Sequence, residues 1–283
     1  MPISMGLPPA RVLRDRARIL AALRGWMQHN GFLEVQVPIA VQSGALEEYL
    51  EPLPLGELQL HTSPEFALKR VLSIGLGRIY WMGPCFRAEE LGPHHGTEFT
   101  MLEWYRIGCG YQGIAEDLLA LLACIASSLG QTLPDVERLT WNEALHRHAR
   151  VAIPSDPDEQ MRVWVNDVEP QLQSPTLVID YPARDAAFST IRGQVAERFE
   201  FYWQGVELAN AFTELLDPQE LRARWAASAA TRQAMGRAPH PEDERLVQAV
   251  ASHPYAGGIA LGVDRLVMLL LGLENIHQAR IQA

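Results

Sequence analysis

Apolar positions in residues 11–30 recur at helical spacing. Val12, Leu13, Ile19, Leu20, Leu23, Trp26 and Met27 form one stripe, which predicts an amphipathic helix that Gly31 ends with positive φ. The next run, 32–37, reads as a strand that stops at Pro38. Gly44, Pro52, Pro54 and Gly56 punctuate 42–61, which reads as a loop or a short hairpin. A helix over 65–73 is entered through the turn formers Ser63 and Pro64, and a second over 115–129 is apolar on most sides and therefore buried. Arg87 and Glu89 end an apolar run that starts at 78. A Gly/His-rich loop follows, and then Phe99, Met101, Glu103 and Tyr105 occupy alternate positions, as on one face of a strand.

Farther on, Gln204-Gly205 fits a two-residue hairpin turn. Ile259, Leu261 and Val263 alternate with small residues ahead of a helix for which Asp264 is a suitable cap. Residues 131–176, with Pro154, Pro157, Pro170 and Pro175, show no clear period. They read as a variable, insertion-like region in a single domain spanning 1–283. Interspersed helices and hairpin-forming strands predict an α+β fold, an antiparallel sheet flanked by helices, rather than a doubly wound sheet.

Composition narrows the function classes. A chain of 283 residues, 48% hydrophobic, buries a full core. Its three cysteines show neither CxxC spacing nor even pairing, as suits free thiols in a reducing compartment. The N-terminus has no apolar signal core, and the longest apolar run, 118–126, is too short to cross a bilayer. A cytoplasmic protein with no membrane partner is expected. A formal charge of −10 argues against a broad nucleic-acid footprint.

Three constellations carry chemistry. In the first, Arg87, Glu89, Phe99, Glu103 and Tyr105 converge on one wall of a hairpin, and buried charge at that density calls for a bound partner. In the second, the register of the 204–205 turn sets Glu200 diagonally from Glu207. Two carboxylates so placed repel unless a cation such as Mg²⁺ lies between them. Asn210, Phe212 and Glu214 have the opposite parity to Glu207, so one pocket for all four requires a β-bulge near 208–210. In the third, Arg265 stands in the first turn of a helix, where the dipole disfavours a cation and a bound phosphate would remove that cost.

These blocks resemble motifs 1, 2 and 3 of the class II aminoacyl-tRNA synthetases, motif 1 being the helix and strand that end at Pro38. TSPEFALKR (62–70), the run from His95 to Tyr105 and ELANAFTEL (207–215) resemble the lysine branch. Within that branch the chain looks most like the elongation factor P lysine ligases, lysyl-tRNA synthetase paralogues that attach (R)-β-lysine to a lysine of elongation factor P. The family's anticodon-reading OB-fold has no counterpart here, since the catalytic domain starts by about Arg11; tRNA is therefore disfavoured as acceptor. The resemblance implies ATP and Mg²⁺ as cofactors, lysine or (R)-β-lysine as substrate, elongation factor P as acceptor protein, and a homodimer through the motif 1 helix.

Residue by residue, the resemblance gives Arg87 the α-phosphate, Glu89 the adenine amino group, Phe99 the adenine face and Arg265 the γ-phosphate end. Glu200 and Glu207 match the positions that hold metal and nucleotide. His94 and His95, in the loop between the strands, read as phosphate or structural contacts, or as general bases. Glu214 matches the carboxylate for the substrate's ε-ammonium, with Tyr105, Glu103 and Phe212 beside it. Glu65 and Asn210 match positions near the α-amino and carboxylate ends. Ala260 stands where lysyl-tRNA synthetases usually carry Gly and the paralogues carry Ala. Ala88, Gly96-Thr97 and Ala211 depart from the family's Asn, Asn-Pro and Gly. A lysine-adenylating enzyme with another acceptor (tRNA, another protein or a small amine) and a non-catalytic regulatory paralogue are the alternatives.

Overall fold

The computed structural model describes residues 7–281; the ends of the expected 1–283 domain, 1–6 and 282–283, lie outside the described residues. The helical stripe forms α1 (Ala10–His29), with Val12, Ile19, Leu23 and Met27 turned inward, and Gly31 at φ +75° ends it. The strand expected over 32–37 shortens to β1 (Leu33–Glu34). Beyond it one ladder bond persists, from Val35 N–H to the Tyr80 carbonyl at 2.9 Å. The 42–61 stretch is the hairpin alternative: β2 (Ala40–Val41), β3 (Pro54–Leu55) and β4 (Leu58–Leu60) make a small separate sheet. After α2 (Glu65–Leu72), strands β5 (Arg78–Phe86) and β6 (Glu98–Ile107) pair antiparallel, Trp81 opposite Glu103 and Cys85 opposite Phe99. Helix α3 (Tyr111–Ser128) starts earlier than expected, because the Thr213 hydroxyl accepts the Tyr111 N–H at 3.0 Å and satisfies its first turn.

The region without a period folds into β7 (Glu137–Thr140), α4 (Trp141–His148), α5 (Pro157–Val163) and a wider helical turn over 164–168. A capping box between Thr140 and Glu143 opens α4. Strand β7 joins β8 (Thr176–Pro182) in parallel at one end of the main sheet. Then come β9 (Ile191–Arg192), the hairpin of β10 (Val195–Trp203) and β11 (Val206–Thr213), α6 (Pro218–Ala234), α7 (Glu244–Val250), β12 (Ala256–Gly262) and α8 (Val263–Leu270). Gln204 and Gly205 lie at φ +53° and +71°, the pair of left-handed residues that a tight hairpin turn of this twist requires.

The main sheet runs β1-β5-β6-β12-β11-β10-β8-β7, with β9 attached to β10. Its contacts are antiparallel except β1–β5 and β7–β8 at the two ends, so the fold class is α+β as the sequence predicts. Strand parity divides the central strands between two environments. Leu102, Trp104, Phe199, Phe201, Ile259 and Leu261 face a core shared with α1, α3 and α8. Their neighbours Glu103, Tyr105, Arg198, Glu200, Gly258 and Ala260 face a cavity on the opposite side. Asp264 does not cap α8: the helix starts at Val263, Gly262 is its cap residue, and the carboxylate instead accepts the Thr100 N–H at 2.8 Å and pairs with Arg16 at 2.6 Å. Among the described residues no helix is long and apolar enough to cross a membrane.

Candidate active site

The cavity, of about 370 Å³, is built on the face of β6, β12, β11 and β10 opposite the main core. One register irregularity makes it. Phe201 pairs with Ala209 while Tyr202 pairs with Glu207, so Leu208 is the extra residue of a β-bulge, inside the window that parity demanded. The bulge turns Glu207 to the same side as Asn210 and Phe212, and all three line the cavity with Glu200.

One end is cationic. Arg265, near the start of α8, donates to the His94 carbonyl (3.1 Å), the Glu207 carbonyl (2.8 Å) and Nε2 of His95 (2.7 Å), tying the loop between β5 and β6 to β11. Because Nε2 of His95 accepts from Arg265, its lone pair is engaged and the ring is held neutral; burial and then the Arg265 charge lower its pKa. Arg87 lies over the Phe99 ring, 5.1 Å from its centroid, and donates to Glu90 at 3.1 Å. Its Nε is buried without a partner in the protein, a donor left for a ligand.

Beside this end lies a carboxylate cluster. Glu200 accepts from Arg198 (2.5 Å), from the Tyr181 hydroxyl (2.6 Å) and from Tyr202. Burial and then the Glu200 charge raise the pKa of Glu207, and burial pushes Glu169, whose carboxyl lies 3.2 Å from the Tyr202 hydroxyl, up to about 7. Arg198, partly buried, sits among Glu200, Asn210 (3.2 Å) and the Asp185 carbonyl (2.6 Å).

The other end is acidic. Glu103 accepts one hydrogen bond on each oxygen, from the hydroxyls of Ser63 and Tyr105, both at 2.7 Å. Lys69 Nζ bridges Glu65 and Glu214, at 2.7 Å from each. Burial, followed by like charge, raises Glu65 to about 8, and burial raises Glu103 to about 7. Three carboxyls share one ammonium, so this end takes up positive charge as Glu65 and Glu103 release their protons, and the Oε1 of Glu214, buried, has no hydrogen-bond partner.

Most of the residues singled out in the sequence thus meet in one cavity: Arg87, His95, Phe99, Glu103, Tyr105, Glu200, Glu207, Asn210, Phe212, Ala260 and Arg265, with Glu65 at the acidic end. Two lie off its wall. Glu89 turns outward to Arg237 at 2.7 Å, with a side chain 64% exposed, because the chain leaves the strand before reaching it. Glu214 sits just behind the wall, separated from the cavity by Gly258, where an added Cβ would come 2.4 Å from its Oε1. Lys69 and Arg198 were not predicted. The signal for Lys69 was an i,i+4 spacing from Glu65, which elsewhere means a surface pair; Arg198 shares the parity of Glu200.

Comparison with known proteins gives the family. The chain belongs to the class II tRNA synthetases of the D, K and N group, whose family description matches residues 9–281. It is similar to elongation factor P–(R)-β-lysine ligases. Identity is 36% to the enzyme of Proteus mirabilis, over 93% of this chain and 92% of the relative. It is 34% to that of Vibrio cholerae, over 96% and 95%, and 36% to that of Avibacterium paragallinarum, over 95% and 94%.

Proposed function

We propose that this protein is an ATP-dependent amino-acid ligase that activates a lysine-type amino acid, (R)-β-lysine, as its adenylate and transfers it to a lysine side chain of elongation factor P. The observation that carries this reading is a single cavity with arginines at one end and surplus carboxylates at the other. The arginines suit a triphosphate; the carboxylates suit the ammonium groups of the amino acid. The relatives' names supply the acceptor. Activation is attack of the substrate carboxylate on the α-phosphate with loss of pyrophosphate, and transfer is attack of the acceptor amine on the adenylate carbonyl with loss of AMP. Neither step needs a protein nucleophile, so positioning and charge neutralisation are what the site must provide.

In this reading Arg87 and Arg265 bind phosphate and Phe99 takes the adenine. Glu89 reaches the adenine amino group only by releasing Arg237. Glu200 and Glu207 repel each other, as a divalent cation would relieve, but no group of three or more His, Cys, Asp or Glu suited to a metal occurs among the described residues. Mg²⁺ would therefore be shared between these two carboxylates and oxygens of the nucleotide. Glu214 and Tyr105 take the ε-ammonium, Glu65 and Glu103 the other amine, and Asn210 and Phe212 the path between. Ala260 lies opposite Glu103 and Asn210 in the sheet, where its methyl trims the space for the amine end. A cytoplasmic location and a homodimer belong to the same proposal. Met27 is buried in the core and Trp26 packs on Phe32, 6.1 Å between centroids, so a dimer would use another face of α1.

ATP–pyrophosphate exchange with a panel of amino acids tests the first step. Exchange is expected with the lysines and not with neutral or acidic amino acids. Exchange that prefers an uncharged side chain would refute the reading.

A further inference from the structure

Lys69 does not line the cavity; it lies on the inner face of α2 and is 1% exposed. Its Nζ contacts Oε1 of Glu65 and Oε2 of Glu214, and stands 3.9 Å from the centroid of the Phe188 ring. An ammonium has three donors, so two carboxylates and a ring face use what it offers and leave nothing for a ligand. An ordinary i,i+4 pair is exposed and contributes little to stability; a lysine taken wholly out of water is there only because its partners hold it.

Each partner gives Lys69 one oxygen and keeps the other. Glu214 Oε1 is buried and unpartnered beside Gly258 at the cavity wall, and Glu65 itself lines the cavity. With Glu103 included, three carboxyls face one internal cation; Glu65 and Glu103 keep protons near neutral pH until a cation draws them off, so the pocket offers up to two negative charges to a ligand that carries them.

We propose that Lys69 sets the charge this pocket demands of its amino acid. By bridging Glu65 and Glu214 it holds two like charges side by side and fixes one oxygen of each, so that the site selects a substrate with two ammonium groups over one with a single ammonium; without it the carboxylates part or take up protons and the second ammonium loses its partner. Lys69 is a positioning residue: it acts through the two glutamates and touches no substrate. The inference rests on the ligase reading and adds to it the group that decides between diamino and monoamino acids.

The test is pyrophosphate exchange on the full chain, titrating L-lysine, (R)-β-lysine, 6-aminohexanoic acid (the lysine chain with its ε-ammonium alone) and ATP. In Lys69→Met, KM for both lysines is expected to rise by about tenfold or more. The wild-type preference for lysine over 6-aminohexanoic acid should fall by a similar factor, with KM for ATP within about twofold. A merely structural lysine would lower the folded fraction and kcat and leave that preference untouched. Lys69→Arg keeps the charge while moving it, so the preference should persist with KM raised a few fold; this variant decides the matter if Lys69→Met does not fold. Unchanged preference in folded Lys69→Met, or loss of preference in Lys69→Arg, would overturn the proposal while leaving the ligase reading intact. Wild-type protein that exchanges with neither lysine would end the ligase reading and this proposal together.

Discussion

Gly258→Ala puts the acidic end under the most direct strain. Gly258 pairs with Tyr105 on one side and Phe212 on the other, and its backbone needs no left-handed turn, so alanine is refused only by space. The new Cβ would lie 2.3 Å from Cε1 of Tyr105 and 2.4 Å from Oε1 of Glu214. Non-bonded carbons settle at about 3.5–4.0 Å, so both side chains must retreat by roughly 1 Å or more. Tyr105 cannot retreat without loosening its hydrogen bond to Glu103, so two of the pocket's three carboxylates move at once. Overpacking of this kind costs about 1–3 kcal/mol of stability. A comparable misfit against the substrate's ammonium groups corresponds to roughly 5- to 150-fold in KM for lysine. Pyrophosphate exchange at saturating ATP, with thermal unfolding alongside, measures both.

Gly257→Ala is the matched control one residue away. Its Cβ would meet Ile114 at 2.5 Å and the Gly110 carbonyl oxygen at 2.9 Å, on the α3 side of the sheet. It should lower stability by a similar ~1–3 kcal/mol and leave KM for lysine in the folded protein unchanged. Wild-type KM in Gly258→Ala, or an equal KM change in Gly257→Ala, would refute the placement of the pocket floor.

Three further outcomes follow from the same geometry. Burial holds the carboxyls of Glu65 and Glu103 at about 8 and about 7, above their ordinary 4.5, so the ligand-free protein should lose stability as pH rises from 5 to 8. Lysine, which needs them ionised, should bind more tightly over the same interval; thermal unfolding against pH with and without lysine measures both, and a rise in ligand-free stability with pH would contradict it. Arg265→Ala removes the cation that joins the His94–His95 loop to β11 and should lower kcat/KM for ATP by about 100-fold or more while sparing KM for lysine; a loss confined to lysine would misplace the phosphate end. Ala260→Gly removes a methyl from beside Glu103 and Asn210 and should shift preference toward α-lysine by up to about 1–3 kcal/mol, read as the ratio of kcat/KM for the two lysines; an unchanged ratio would make Ala260 a neutral strand residue.

Where local rules decide the conformation, the chain was legible: α1 and its Gly31 stop, the turn at 204–205, and the bulge at Leu208, which parity requires once Glu207 shares a pocket with Asn210 and Phe212. The 32–37 run failed as a full strand because β1 occupies a sheet edge beside β5, and the chain leaves after Val35. Residues 131–176 hid their structure because Trp141, Trp164, Tyr181 and Tyr202 pack into a cluster whose members come from several short elements, with no period long enough to read. Asp264 passed for a cap because its true partners, Thr100 and Arg16, are distant in sequence. Lys69 escaped for a related reason. Its spacing from Glu65 is local, but its burial is set by Glu214 and Phe188, which only the folded sheet brings near.

The central claim is transfer of a lysine-type adenylate to a protein. Purified protein should be incubated with labelled (R)-β-lysine, Mg·ATP, elongation factor P and total tRNA together, and the label followed. The account predicts label on elongation factor P, dependent on ATP and stable as an amide. Label on RNA, or on neither acceptor, would contradict it.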